Sequence, residues 1–196
     1  MSNKRSLTLR AKLTAGFAAA LVLFASVGWI GILQIKAVEE VAHEIRERWT
    51  PRQELLAEIK RYASEHRLLS ARRLHTRNFR ELAALEQETR VVTANLRGAN
   101  ETYQRLLGFD EERVQFAAFD EGFKTYQAAL GDVLLRLEPR DLLGAANTFE
   151  RTAMQAHATA IEKLESLLAT IRQRSTAAMD RSKEVYDQSL LRFLPS

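Results

Sequence analysis

The chain has 196 residues, 46% of them hydrophobic, with 8 glycines, 3 prolines and no cysteine. That is enough apolar material for a core, so little punctuation points to long helices and an all-α fold, and the missing thiols exclude a disulfide framework, a thiolate metal site and a cysteine nucleophile. The net charge of +4 invites a nucleic-acid reading, but it belongs to the first twelve residues: setting aside Lys4, Arg5, Arg10 and Lys12 leaves 25 of the 29 basic residues against 25 acidic ones.

Residues 1–12 therefore form a basic tail, and the segment beyond it gives that charge a role. Leu13 to Ile35, "LTAGFAAALVLFASVGWIGILQI", is 23 residues without a charge, enough for the roughly 20 that a membrane-spanning helix needs. A cleavable signal peptide would have a shorter apolar region, of about 7 to 15 residues, and a small-residue cleavage site, so an uncleaved anchor is expected. By the positive-inside rule the tail is cytoplasmic and residues 36–193 are periplasmic. Trp29 near the outer end suits an interface.

The remainder is periodic with helical spacing. A first helix is expected to run from the membrane to about Thr76, with a seam at Leu55, Ile59, Tyr62, His66, Leu69 and Arg73. Thr50, Pro51 and Gln53 look like a cap, a first-turn proline and a capping-box partner, which fits a helix boundary or a kink; a kink is expected, since a long helix continuous with the anchor needs only one disturbed turn. Toward its end, "EHRLLSARRLHTRN", Glu65 to Asn78, gathers positive charge on an otherwise amphipathic segment.

Asn78 with Glu81 begins a second helix, over 78–107, whose stripe is Leu82, Leu85, Thr89, Val92, Leu96, Ala99, Tyr103 and Leu106. Gly108 stops it. Asp110, Glu111 and Glu112 open a third helix, over 110–138, with acids where the dipole favours them, and Pro139 ends it. Its stripe is Phe116, Phe119, Phe123, Tyr126, Leu130, Val133 and Leu137. The fourth, over about 141–193, carries Phe149, Ala153, Ala156, Ala160, Leu164, Leu167 and Ile171, with many small residues that allow close approach. Spacings alternating three and four face partner helices, and short connections make neighbours antiparallel. The expected architecture is a transmembrane helix followed by an up-down-up-down four-helix bundle.

With these segments in place, the chain resembles the four-helix-bundle sensor domain of bacterial methyl-accepting chemotaxis receptors. The likeness covers nearly the whole sequence. It is carried by "LTLRAKLTAGFAAALVLFASVGWIGILQI", by "RWTPRQELLAEIKRYASEHRLL" with its early proline, by "FDEGFKTYQAALGDVLLRL" and by the alanine-rich fourth segment. The resemblance implies a periplasmic sensor that dimerises along its first and fourth helices and passes a small movement through the membrane. It also implies an amino, organic or aromatic acid bound near the membrane-distal end, across the homodimer interface. Such receptors continue into a second span, a HAMP relay and a methylated cytoplasmic coiled coil, whereas this sequence stops at "SLLRFLPS", which reads as a truncated C-terminus over residues 194–196.

The arginines are the candidate site. At a packed seam arginine costs desolvation unless it is paired, and a planar guanidinium engages a carboxylate bidentately. The alternative is a frayed helix end whose arginines reach water and pair with Glu65, Glu81 or Glu150. Amino-acid receptors of the resembled type present three arginines at steps of five and four; Arg67 and Arg72 reproduce the first step, but Thr76 stands at the next position. Arg67, Arg72 and Arg73 are therefore the candidate charge partners of a small carboxylate, with Thr152 on the fourth helix as a candidate hydroxyl.

No catalytic residue, cofactor, metal or nucleic-acid partner is expected. The histidines His43, His66, His75 and His157 form no metalloprotease pattern, and neither a phosphate loop nor a nucleophile elbow is present. Two functions remain: the ligand-sensing module of a chemotaxis receptor, or a membrane-tethered helical scaffold or sensor of a histidine kinase or diguanylate cyclase. The partners expected are a small-molecule ligand, the inner membrane and a second copy of the chain.

Overall fold

A computed structural model describes residues 9–137 and 141–191, with only part of the side chains in the first helix and at the end of the last. Among the described residues everything regular is helical: α1 (Leu9–Glu44), a π-helical turn (Ile45–Trp49), α2 (Thr50–His75), α3 (Phe79–Leu106), α4 (Asp110–Leu137), α5 (Leu142–Thr148), a second π turn (Phe149–Ala153) and α6 (Met154–Leu191). Pro139, the basic residues Lys4 and Arg5, and the end of "SLLRFLPS" lie outside the described residues. The chain divides into two compact units, one holding α1 and the end of α6, the other Ile45–Ala177.

In the first unit, the exposed apolar side chains of α1 include Phe17, Leu21, Val22, Leu23, Phe24, Val27 and Trp29. Among the described residues, no helix is long and apolar enough to cross a membrane.

The second unit has its topology written in its pairings. Arg73 meets Glu86 and Arg52 meets the Leu106 carbonyl, so α2 and α3 run in opposite directions. Tyr103 reaches Glu112, reversing the chain again into α4. Tyr126 contacts His157, and Glu111 pairs with Arg174, so α6 descends beside α4. Lys60–Glu165 and Ala63–His157 close α6 onto α2. The result is an all-helical arrangement consistent with a bundle.

Its core is an aromatic ladder along α4. Tyr103, Phe116, Phe119, Phe123 and Tyr126 follow one another with ring centroids 5.1, 6.0, 6.0 and 5.4 Å apart, in tilted contacts that add to simple burial. Leu69, Leu85 and Val92, flanked by Tyr62, join α2 to α3. The expected close approach of small residues occurs at Gly122, where an added Cβ would stand 3.2 Å from Ala160 Cα.

Several local expectations change. Thr50 caps nothing: the residue before α2 is Trp49, helical and without a side-chain cap, and the Thr50 hydroxyl donates to the Ile45 carbonyl at 3.1 Å. The disturbance expected at Pro51 is a π turn just ahead of it. The predicted first seam is one residue off at its start, since Arg52, Leu56 and Ala63 are buried while Leu55 and Tyr62 are partly covered. In the fourth segment His157, not Ala156, enters the core. The π turn over Phe149–Ala153 explains this: one extra residue turns the 4-3 step into 4-4, from Phe149 to Ala153 to His157. Asn78 does cap α3, accepting from the Arg80 amide at 2.9 Å.

Glu112 does stand in the first turn of α4, as expected, and it is wholly buried. Oε1 accepts from Arg52 Nε at 3.2 Å and Tyr103 OH at 2.8 Å, and Oε2 accepts from the Gly108 amide at 2.8 Å. Arg52 also donates to the Arg48 carbonyl at 2.6 Å and to the Leu106 carbonyl. A Cβ on Gly108 would lie 3.1 Å from Arg52 Nη2, so glycine there leaves room for the guanidinium. This clamp ties the start of α2 to the α3–α4 turn.

Candidate functional site

At the opposite end of the unit, the last turns of α2, the first half of α3 and the second half of α4 line a cavity of about 270 Å³ that is open on one side. From α2, His66, Ser70, Arg73 and Leu74 line it; the steps of four and three between the first three place them on one face. Thr89 and Thr93 come from α3, and Gln127, Leu130, Gly131, Val133, Leu134 and Leu137 from α4. The wall is thus apolar toward α4 and polar toward α2 and α3.

The polar groups are not equivalent. Ser70 Oγ donates to the His66 carbonyl at 2.8 Å, Thr89 Oγ1 to the Leu85 carbonyl at 2.7 Å and Thr93 Oγ1 to the Thr89 carbonyl at 2.7 Å. Each hydroxyl thus has a helix carbonyl to donate to, and Ser70 also hydrogen-bonds with Tyr126. Arg73 is the cation in the lining, about a quarter exposed, with Nη2 3.3 Å from Glu86 Oε1. No acidic side chain lines the cavity.

Below the cavity, two buried histidines flank Tyr126. His66 and His157 contact its ring edge-on at centroid distances of 5.7 and 5.1 Å. His66 Nδ1 lies 3.4 Å from the Tyr126 hydroxyl, and His157 Nε2 lies 3.2 Å from the Ala63 carbonyl. A carbonyl only accepts, so His157 carries its proton on Nε2. Burial lowers the pKa of His66, with the charge of His157 adding to the effect. Burial also lowers that of His157; the Ala63 hydrogen bond opposes this and the Arg67 charge reinforces it. Burial pushes the Tyr126 phenol up to about 12.

The two histidines make stability depend on pH. Both bind protons less readily folded than unfolded, so stability is complete above the ordinary histidine pKa of about 6.5 and falls as pH drops below it. The thermal midpoint of the full chain is expected to decline between pH 7.5 and 5. The decline should be shallower in the His66→Gln, His157→Gln double variant, and an unchanged slope would show that other groups set it.

The four predicted site residues occupy different surroundings. Arg73 reaches the cavity, whereas Arg67 turns toward α6, with Nη1 3.9 Å from Met154 Sδ. Arg72 is exposed and lines a shallow depression around the α2–α3 turn with His75, Thr76, Arg77, Asn78 and Glu81. Thr152 is exposed within the second π turn. Within one chain the three arginines do not converge, and Arg73 pairs with Glu86 instead of Glu65, Glu81 or Glu150. The hydroxyls of Ser70, Thr89 and Thr93 were not legible as site residues, because serine and threonine on a helical stripe carry no signal of a void beside them.

Among the described residues the unit is all-helical, with a mixed cavity at one end of its bundle. The family model for a four helix bundle sensory module for signal transduction matches residues 6–186, and the chain belongs to that family. This is the sensory module found in methyl-accepting chemotaxis proteins, a signalling domain and not a catalytic one. A search of curated proteins gives no match.

Proposed function

We propose that the chain is the membrane-anchored, periplasmic ligand-sensing module of a chemotaxis receptor, and that it takes a small carboxylate at the membrane-distal end of its bundle. The observation that carries the sensing role is Arg73: a partly buried guanidinium on the wall of a cavity, held by a single, half-exposed carboxylate. Arg67, Arg72 and Thr152 belong to the same distal region. Arg72 and Thr152 are both exposed, which supports a role for them in contact with a second copy of the chain.

The anchor is α1. Leu21, Val22, Leu23 and Phe24 are exposed by 55, 65, 67 and 78%. Four successive residues at about 100° steps surround the helix, and a helix apolar on all sides belongs in lipid or a core. The stretch is the 23 uncharged residues from Leu13 to Ile35. Together with the basic tail, this orients residue 12 to the cytoplasm and residue 36 to the periplasm.

Two experiments test the proposal. An alkaline phosphatase fusion after Ser196 should be active in the periplasm; activity of a cytoplasmic reporter in an intact, inserted fusion would overturn the anchor. Thermal-shift screening of the full chain in detergent against organic and amino acids should find stabilising carboxylates. Arg73→Ala should weaken them by roughly 2–5 kcal/mol, as for a desolvated charge pair, and retention of every hit by Arg67→Ala, Arg72→Ala and Arg73→Ala would remove the arginines from the site.

A further inference from the structure

We propose that the ligand sits inside one protomer, in the cavity between α2, α3 and α4, and is an amphipathic monocarboxylate with a compact apolar body and no ammonium group. This rests on the sensing role above and narrows it to a place and a chemical class.

The chemistry of the wall selects the class. Arg73 supplies one planar cation, enough for one carboxylate. The hydroxyls beside it already have the helix carbonyls of His66, Leu85 and Thr89 to donate to, so donating to a second anionic group would give up one of those bonds. A dicarboxylate would bring a second charge with no second cation to meet it, since of the other polar groups in the lining Gln127 is a neutral amide and burial lowers the pKa of His66. An α-amino acid meets the converse problem: no acidic side chain lines the cavity, and the carboxylate that pairs with Arg73, Glu86, stands outside the lining and half exposed, so an ammonium held inside has no buried counter-charge. Opposite Arg73, Leu130, Leu134 and Leu137 offer an apolar surface for the body of the ligand. The volume, about 270 Å³, falls just below the roughly 300–1,000 Å³ of sites for drug-sized molecules, which suits a short branched or single-ring acid.

Glu86 is the built-in competitor. It holds Arg73 at 3.3 Å with its own carboxylate about half exposed, so an incoming acid displaces a weak pair and Glu86 is released to water.

The test uses the full chain in nanodiscs and matched probes. 4-Methylpentanoate and leucine differ only by the α-ammonium, and 4-methylpentanamide keeps the shape without the charge. Binding of 4-methylpentanoate or benzoate is expected, with leucine, succinate and the amide at least about tenfold weaker. Arg73→Ala should weaken the acid by about thirtyfold or more, and Glu86→Gln should tighten it by up to about fivefold. Thr93→Phe puts a ring on the wall of the cavity and Gly131→Leu adds bulk at its exposed rim, and both should weaken binding. An added Cβ on Gly131 meets nothing within 4 Å, and leucine favours the helix more than glycine does, so this variant should fold at least as well as the parent.

Undiminished affinity in folded Thr93→Phe and Gly131→Leu proteins would overturn the cavity while leaving a carboxylate sensor standing. Preference for leucine or succinate would overturn the ligand class. Failure of every acid, amino acid and dicarboxylate to bind the parent would overturn both this inference and the sensing role.

Discussion

Glu112→Ala is expected to lower the folding stability of the chain by roughly 3–5 kcal/mol, the cost of leaving a buried partner charge uncompensated. The carboxylate is wholly buried and accepts from Arg52, Tyr103 and the Gly108 amide. Its removal strands the Arg52 guanidinium and the Tyr103 hydroxyl together. Replacing both charges, as in Arg52→Met with Glu112→Leu, should recover much of the loss, because a well-packed apolar pair avoids the desolvation of either ion. Denaturant unfolding in detergent measures both variants. A loss below about 1 kcal/mol for Glu112→Ala would mean that water reaches Arg52 and the clamp is an ordinary surface pair.

Tyr126 should show the second large effect, split between ring and hydroxyl. Its side chain is fully buried and touches Phe123, His66 and His157. Tyr126→Ala removes the ring from all three and is expected to cost about 3–5 kcal/mol, as for other large aromatic truncations. Tyr126→Phe keeps the ring and removes the hydroxyl near His66 Nδ1, which should cost about 0.5–1.5 kcal/mol. Thermal unfolding of the two variants side by side measures the split. Equal losses would show that the hydrogen bond, and not packing, makes Tyr126 necessary.

Much of the fold was legible because its core follows simple periods. The α4 stripe from Phe116 to Val133 required only the alternation of three and four, and Asn78 announced the start of α3. What escaped did so for physical reasons. Arg52 and Glu112 are charged, so a pattern of apolar positions assigns both to the surface; they are buried because sixty residues of intervening chain bring them together, and nothing local records that. A π turn inserts one residue without a composition of its own, which is why Ala156 stood where His157 belongs. Pro51 marked a disturbed turn correctly but misplaced it by a few residues. At the site, clustering singled out Arg67, Arg72 and Arg73 alike. Their separation followed from helical geometry, since residues five apart lie about 140° around the axis. The cavity was invisible in the sequence, because it is set by where side chains from three helices stop short of one another.

The central claim, that this family member senses a small carboxylate through its distal arginines, is tested most directly by calorimetric titration of the full chain in nanodiscs. The parent is titrated beside a variant carrying Arg67→Gln, Arg72→Gln and Arg73→Gln together. Saturable binding of a carboxylate to the parent, and its loss in a triple variant that retains the helical signal and thermal midpoint of the parent, is the predicted result. Equal binding to both proteins, or none to the parent across carboxylates of every class, would contradict it.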